Sequence, residues 1–438
     1  MGFTNHEANN PPVVSDMGMI NILADIHRYL PDELLISIFA EVHSPLTISA
    51  VCHLWREIAV NTAALWTTIR CVIEGQKSTP FEKVRTFVAR ARNAQVLVDV
   101  SVQGDASGLE ELASVLVPIF PHCRSLCLSF THFNPAKFFF PLPDNMVDLE
   151  SLVVTLGSSS DDPVFSRGLE ELSIDLFQKQ FAPLRLRSFH LFAPQNVSVN
   201  FPEFLDMSGM SALSLAIRMP PAKILGLAAR APGLRSLDLM AHQSEPTDDH
   251  LVPLSYPRLE RQLISGDGWT WLISAPSLHT LTLLDKAALG AVDKAMSLAV
   301  HRRRPLFPKL QTLSLMTPEP AALDRGPQFR NLAKFISEHN ELLELDIMAC
   351  WSPIPCILNL SLLQPDRLCP PLPCPKLRTL KLSLIYSDVE LAPLLSVCKR
   401  LLDERTILKV EFRAVSNYLP TNVLDEFLSQ NERATLRR

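Results

Sequence analysis

The stretch Leu30–Ile69, LPDELLISIFAEVHSPLTISAVCHLWREIAVNTAALWTTI, decides how the rest of the chain is read. Leu34, Leu35, Ile38, Phe39 and Val42 recur at helical spacing, so a helix with an apolar stripe is expected there. Pro31 suits the first helical position, where its missing N–H costs nothing. Asp32 and Glu33 put negative charge in the first turn, where the helix dipole favours it. Ser44 followed by Pro45 reads as the start of a second helix. Ile48, Val51, Cys52, Trp55, Ile58 and Ala59 would form its apolar face, and Leu65, Trp66 and Ile69 a third apolar patch. Three short helices this close in sequence are expected to pack as a small bundle.

Three separated words in this stretch carry a family resemblance. Leu30, Pro31, Glu33, Leu34, Leu35, Ile38 and Phe39 form the first word. Val51, Cys52, Trp55, Arg56, Ile58 and Ala59 form the second, and Leu65 with Trp66 the third. In this order they resemble an F-box, most nearly the F-box-like families expanded in fungi. The connection between the first two words is about two residues shorter than that pattern usually has. The resemblance implies docking on the Skp adaptor of SCF-type cullin–RING ubiquitin ligases. The residues it assigns to that contact are Leu30, Pro31, Leu34, Leu35, Ile38, Phe39, Val51, Cys52 and Trp55.

Beyond residue 70, the segment Glu74–Pro80 reads as a short polar linker. Phe81–Asn93 reads as a helix, with Phe81, Val84, Phe87, Val88 and Ala91 on one side. Val96–Val102 alternates valine with Leu97, Asp99 and Ser101, which is the pattern of a strand. A motif Leu-x-x-Leu-x-Leu then recurs, often preceded by Pro or Gly. It occurs at Leu149-Leu152-Val154, Leu169-Leu172-Ile174, Met210-Leu213-Leu215, Leu234-Leu237-Leu239 and Leu278-Leu281-Leu283. It continues at Leu310-Leu313-Leu315, Leu342-Leu345-Ile347 and Leu377-Leu380-Leu382. Cys123-Leu126-Leu128 is a plausible first copy and Leu259-Gln262-Ile264 a degenerate one. Copies about 20 to 35 residues apart are the signature of leucine-rich repeats, whose strands bury their leucines only by stacking. The position normally held by Asn or Cys is here Thr131, Gly157, His242, Lys286 or Pro318, and Cys only at Cys350, so an irregular array is expected.

The expected fold is therefore α/β: a disordered or leader segment at 1–29, an F-box at 30–70, a linking helix and strand at 71–100, and an irregular leucine-rich-repeat solenoid over 101–438. Insertions are expected at Pro246–Pro257 and Pro353–Pro375. A capping helix is expected at Asn422–Gln430, with a basic tail after it.

Composition limits the function. The chain has 438 residues and a net charge of −5, so no general basic field invites nucleic acid or an anionic membrane. Only 14 glycines stand against 35 prolines, which disfavours glycine-rich phosphate loops. No apolar run reaches the roughly 20 residues that span a bilayer. Nine cysteines without a secretory signal point to reduced thiols in the cytoplasm or nucleus.

No catalytic motif stands out, and no cofactor is called for. His122, Cys123 and Cys127 lack a second matched pair for a metal. Gly266-Asp267-Gly268 reads as a turn, His301–Arg304 as a solvated helix end, and Pro370–Pro373 as a surface loop. Trp269 and Trp271 read as packing residues, and Ser158–Asp162 as a loop tip.

The expected role is a non-enzymatic adaptor that holds the Skp protein, and through it a cullin, at one end and a protein substrate at the other. A binding scaffold acting outside a ligase is the alternative. For the substrate, the residue after the last Leu of each later motif faces away from the core. That column reads Met240, Leu284, Met316 and Met348, edged by Ser236, Thr280, Thr312 and Glu344 and by Asp238, Thr282, Ser314 and Asp346.

Overall fold

The computed structural model describes residues 30–42, 44–74, 81–103, 108–131, 146–157, 172–175, 185–193, 197–200, 207–217, 226–227, 229–241, 254–265, 273–284, 307–317, 327–349, 374–384, 391–404, 409–414 and 421–437. The expectations placed on 1–29, Gly266–Gly268, Trp269 and Trp271, His301–Arg304, Pro370–Pro373 and Ser158–Asp162 lie outside these residues.

Short helices open the chain: α1 (Asp32–Ala40), α2 (Pro45–Ser49), α3 (His53–Asn61) and a 3₁₀ turn (Ala63–Trp66). The expected second helix is broken in two. Cys52 adopts an extended backbone and caps α3, its Sγ accepting from Trp55 N–H at 3.5 Å. Next come β1 (Thr68–Glu74), α4 (Phe81–Ala91), β2 (Val96–Gln103), α5 (Leu109–Leu116) and β3 (Cys123–Phe130). On α4 the expected face is buried at Val84, Phe87 and Ala91. The valines of β2 at 96, 98, 100 and 102 point into the core.

Further strands follow: β4 (Ser151–Leu156), β5 (Leu172–Asp175), β6 (Ser188–Phe192), β7 (Val197–Asn200), β8 (Ala212–Ile217), β9 (Ser236–Ala241), β10 (Leu254–Ser255), β11 (Arg261–Ser265), β12 (Ile273–Ser274), β13 (Thr280–Leu284) and β14 (Thr312–Thr317). Then come α6 (Pro327–Glu338), β15 (Glu344–Ala349), β16 (Thr379–Leu384), α7 (Leu391–Glu404), β17 (Lys409–Ala414), α8 (Thr421–Gln430) and β18 (Ala434–Arg437). Fourteen of the strands form one open parallel sheet in the order β1-β2-β3-β4-β6-β8-β9-β11-β13-β14-β15-β16-β17-β18. β1 belongs to this sheet, so the sheet starts inside the residues read as domain boundary and linker.

A single local device recurs ahead of the strands. Before β4, β8, β9, β11, β13, β14, β15 and β16, a buried residue accepts at its carbonyl the N–H of the residue three positions on. The pairs are Met146–Leu149, Met207–Met210, Ala231–Leu234, Tyr256–Leu259, Ala275–Leu278, Phe307–Leu310, His339–Leu342 and Cys374–Leu377. Proline follows the accepting residue at Pro232, Pro257, Pro276, Pro308 and Pro375, where its fixed φ suits the turn. The chain then hangs on the previous repeat: Gln311 and Thr312 both donate to His279 C=O, and Leu343 and Glu344 both donate to Gln311 C=O. The first Leu of each motif closes the turn, and the next two lie on the strand.

The consequence is strict register. One ladder runs Leu126, Leu152, Phe189, Leu213, Leu237, Gln262, Leu281, Leu313, Leu345, Leu380 and Val410. A second runs through Leu128, Val154, Leu191, Leu215, Leu239, Ile264, Leu283, Leu315, Ile347, Leu382 and Phe412. Both ladders belong to one continuous core from Trp66 to Ala434, which also takes in residues of α4 to α8. Two assignments are corrected. Leu169-Leu172-Ile174 is not a rung of this sheet, since β5 pairs with β7 in a separate two-stranded sheet. The rung belongs instead to β6, where Phe189 stands in the place of a leucine. The expected basic tail after the capping helix is β18, paired with β17.

Gln262 is the one polar rung between Leu237 and Leu281. It is 1% exposed, and its Oε1 accepts no hydrogen bond among the described residues. Gln262→Leu removes that desolvation penalty and completes the ladder, so it raises unfolding stability by about 1–2 kcal/mol, measurable as a higher urea midpoint at unchanged slope.

His339 sits in an aromatic pocket with Phe335 at 4.4 Å and Phe307 at 6.4 Å between ring centroids. Its Nδ1 lies 2.7 Å from Phe335 C=O and therefore carries the ring proton. Its buried Nε2 has no partner among the described residues. Burial pushes the imidazole pKa down, against a smaller upward pull from the Phe335 bond. Between its folded and unfolded pKa the unfolded chain binds the extra proton, so stability falls as pH drops below about 6.5. Urea midpoints taken from pH 7.5 to 5 will fall more steeply for the parent than for His339→Leu.

Candidate functional site

The helical unit at the N-terminal end has its own small core of Leu35, Phe39, Ile48, Ile58 and Ala59, against which Leu30, Trp55 and Leu65 pack. Trp55 lies on Phe39 with ring centroids 4.8 Å apart. Arg56 Nε donates to Ser49 C=O at 2.8 Å and ties α3 to α2.

The apolar stripe read on α1 divides in two. Leu35 and Phe39, both assigned to docking, are 2% and 1% exposed and lie in the core of the unit. Leu34, Ile38 and Val42, four residues apart, are 51%, 51% and 42% exposed. Pro31 is exposed at the start of the same helix. On the next segments Val51 is 56% and Leu54 38% exposed, while Cys52 and Trp55 are half-buried. Five large apolar side chains thus face water on a unit this small. Their burial against a partner is favourable at about 25 cal/mol per Å². Val42 was read on the apolar stripe but not assigned to the contact, and Leu54 was not singled out; their spacing from Ile38 and Val51 was the available signal.

Residues 27–72 match the family model described as F-box-like. They form an F-box-like domain. No curated protein matches the chain. An F-box-like domain suggests a part in substrate recognition by an SCF-type ubiquitin ligase, and such domains generally bind the Skp adaptor.

The F-box-like domain is joined to the sheet through Trp66. This side chain is fully buried, and its Nε1 donates to Ala59 C=O on α3 at 2.7 Å. Its other contacts belong to α4: Phe87 packs edge-on at 5.0 Å, and the Arg90 guanidinium lies 4.4 Å over the ring. Trp66 lies in the core of the sheet and is tied to the helical unit by this hydrogen bond, Leu65 beside it packs against both cores, and β1 starts two residues after Trp66.

On the far face of the sheet, the column read as substrate-facing is placed by its ladder. Leu284, Met316 and Met348 are adjacent rungs, all half-buried. Met240 is also half-buried but stands apart, because Ser265 of β11 comes between it and Leu284. Towards β4 the same column runs through Ala216, Phe192 of β6 and Thr155. Ala216, Ser265 and Ser383 are buried there. Around Met348 the charges are paired: Lys381 Nζ with Glu344 Oε1 at 2.5 Å, Arg413 Nη1 with Asp346 Oδ2 at 3.2 Å, and Lys409 Nζ with Glu411 Oε1 at 2.9 Å.

Burial pushes the thiols of Cys123 and Cys398 up to about 12 and also raises Cys127, to which Asp99 adds, so these thiols stay protonated. Cys123 is buried, with its Sγ donating to Ser125 C=O at 3.4 Å. Among the described residues no three His, Cys, Asp or Glu side chains are grouped to hold a metal, and no helix is long and apolar enough to cross a membrane.

Full burial makes Trp66 the costlier tryptophan to lose, rather than half-buried Trp55. Trp66→Ala should cost about 3–5 kcal/mol and open the segment 62–74 to limited proteolysis. Trp55→Ala should cost less and leave that segment protected.

Proposed function

We propose that the chain is a substrate-recognition adaptor of an SCF-type cullin–RING ubiquitin ligase, working in the cytoplasm or nucleus. The F-box-like domain docks the Skp adaptor, and through it the cullin. The sheet beyond it is a leucine-rich-repeat-like solenoid that holds a protein substrate while other subunits perform ubiquitin transfer, so the chain needs no catalytic group or cofactor of its own.

The observation that carries this reading is the division of α1. Leu35 and Phe39 fill the domain's core, and Leu34, Ile38 and Val42 are left on the surface as an apolar row. Exposed apolar patches of this kind mark interaction sites. Pro31, Val51 and Leu54 extend the exposed apolar surface, with half-buried Leu30, Cys52 and Trp55 among them. The recurring turn and strand, one rung per repeat with two N–H groups on the preceding carbonyl, supports the repeat assignment. Met240, Leu284, Met316 and Met348 are the residues assigned to substrate.

The docking surface can be tested without disturbing the core. Leu34→Asp with Ile38→Asp should weaken capture of the purified Skp adaptor at least 100-fold while the melting temperature stays within a few degrees. Leu30→Ala with Pro31→Ala should weaken it less. Wild-type affinity in the Asp double variant would overturn the docking assignment, and a complex that forms with the Skp adaptor yet never recruits a cullin would favour a scaffold outside the ligase.

A further inference from the structure

The edge of the sheet at which the strands begin carries two aligned columns of side chains. The first is the third residue of each tight turn, three positions ahead of its strand. It holds Arg258, Lys309 and Lys376, with Arg185 at the same distance ahead of β6. The second is the residue whose carbonyl anchors the next repeat, and it holds Arg124, Arg187, Arg235 and Arg378. All eight of these cations are exposed. The anions of the two columns are Asp148 and Glu341 in the first and Glu150 and Glu260 in the second.

Three of the anions already hold a cation of the same edge: Glu150 with Arg124 at 3.1 Å, Glu260 with Arg235 at 3.8 Å and Glu341 with Lys376 at 2.6 Å. The fourth, Asp148, is half-buried at the β4 end. Arg185, Arg187, Arg258, Lys309 and Arg378 remain, and among the described residues none of their side chains has an ion pair or hydrogen bond. The edge is thus positive on a chain whose net charge is −5. These cations stand at β6, β11, β14 and β16, which are three, two and two strands apart. At about 4.8 Å per strand the steps are about 14, 10 and 10 Å, or about 34 Å in all. An extended polypeptide covers that length in about ten residues, with about three residues to the shorter steps. Four of the five cations are arginines, whose planar forks match carboxylates. A single-stranded nucleic acid fits less well: among the described residues neither column holds a Phe, Tyr or Trp on which bases could stack, and three glutamates would meet its phosphates.

We propose that this edge takes an extended acidic segment of the protein substrate, its Asp and Glu side chains spaced along Arg187, Arg258, Lys309 and Arg378. This inference rests on the adaptor reading and narrows the substrate to one presenting an acidic stretch about ten residues long. Each exposed contact is weak by itself and screened by salt, so binding requires several acidic residues in line and falls as salt rises.

The test uses the full chain and fluorescently labelled peptides about twelve residues long, with Glu, Gln or Lys at every third position between Gly and Ser. Oligothymidylate of the same number of residues serves as a nucleic-acid probe. Anisotropy titration at low salt should show the Glu peptide binding at least ten-fold tighter than the Gln peptide, and the Lys peptide not at all. Oligothymidylate should bind more weakly than the Glu peptide. Arg258→Glu with Lys309→Glu should abolish the preference for Glu over Gln, and the milder Arg187→Gln with Arg378→Gln should reduce it several-fold. Lys83→Glu with Lys399→Glu makes the same change in net charge at exposed positions on α4 and α7, and should leave the preference within about two-fold. Melting curves of each variant exclude loss of fold. Equal affinity for the Glu and Gln peptides, tighter binding of oligothymidylate, or an equal loss in the Lys83, Lys399 variant overturns the proposal. The Leu34→Asp, Ile38→Asp variant separates the two readings: it should lose the Skp adaptor and still bind the Glu peptide.

Discussion

The tight turn ahead of β4, β8, β9, β11 and β13 to β16 is the constraint from which most of the sheet follows. It places a buried carbonyl and a buried leucine three residues apart, then delivers the next two N–H groups to one carbonyl of the preceding repeat. Parallel strands have no hairpin to fix their register. Here the turn fixes it, and a slip of one residue would send every leucine to the wrong face. Proline at the second turn position reduces the freedom the unfolded chain must give up. The proline content that reads at first as loop composition is partly structural.

The F-box-like domain obeys a different rule. It is too small to bury all its apolar residues, and α1 divides them between inside and outside by alternating Leu34 with Leu35 and Ile38 with Phe39. Its attachment is equally economical. Trp66 donates a hydrogen bond to the helical unit on one side and packs with aromatic and cationic partners of α4 on the other, and so bridges the two.

Much of this was legible because leucine at fixed spacing leaves few alternatives. Seven of the eight Leu-x-x-Leu-x-Leu motifs lie on rungs of the large sheet; Leu169-Leu172-Ile174 is the exception, because its strand pairs elsewhere. The rungs that escaped reading are those where another residue does the same physical work: Phe189 on β6, Val410 and Phe412 on β17, and Ala434 on β18. β1 was hidden by lying directly after the helical words, where Ile69 read as the end of the F-box and Cys71 and Ile73 fell in the segment read as linking; all three are buried. Which of two adjacent leucines on α1 turns inward cannot be read from periodicity alone, since both fit a wide apolar stripe. The break in the column at Ser265 follows from the degenerate copy at Gln262, whose place in the sheet only the pairing reveals.

The sheet is also a ruler. Nine strand spacings separate β1, where the F-box-like domain is joined, from β14, the middle strand of the Leu284, Met316 and Met348 row. At about 4.8 Å each, that is about 43 Å measured along the sheet. Because each repeat contributes one rung, gaining or losing a repeat between these points moves one end relative to the other in steps of a single strand, with a small turn of the sheet at each step. Distance and orientation in such a chain are therefore quantised, and a lineage can change its reach without altering either end.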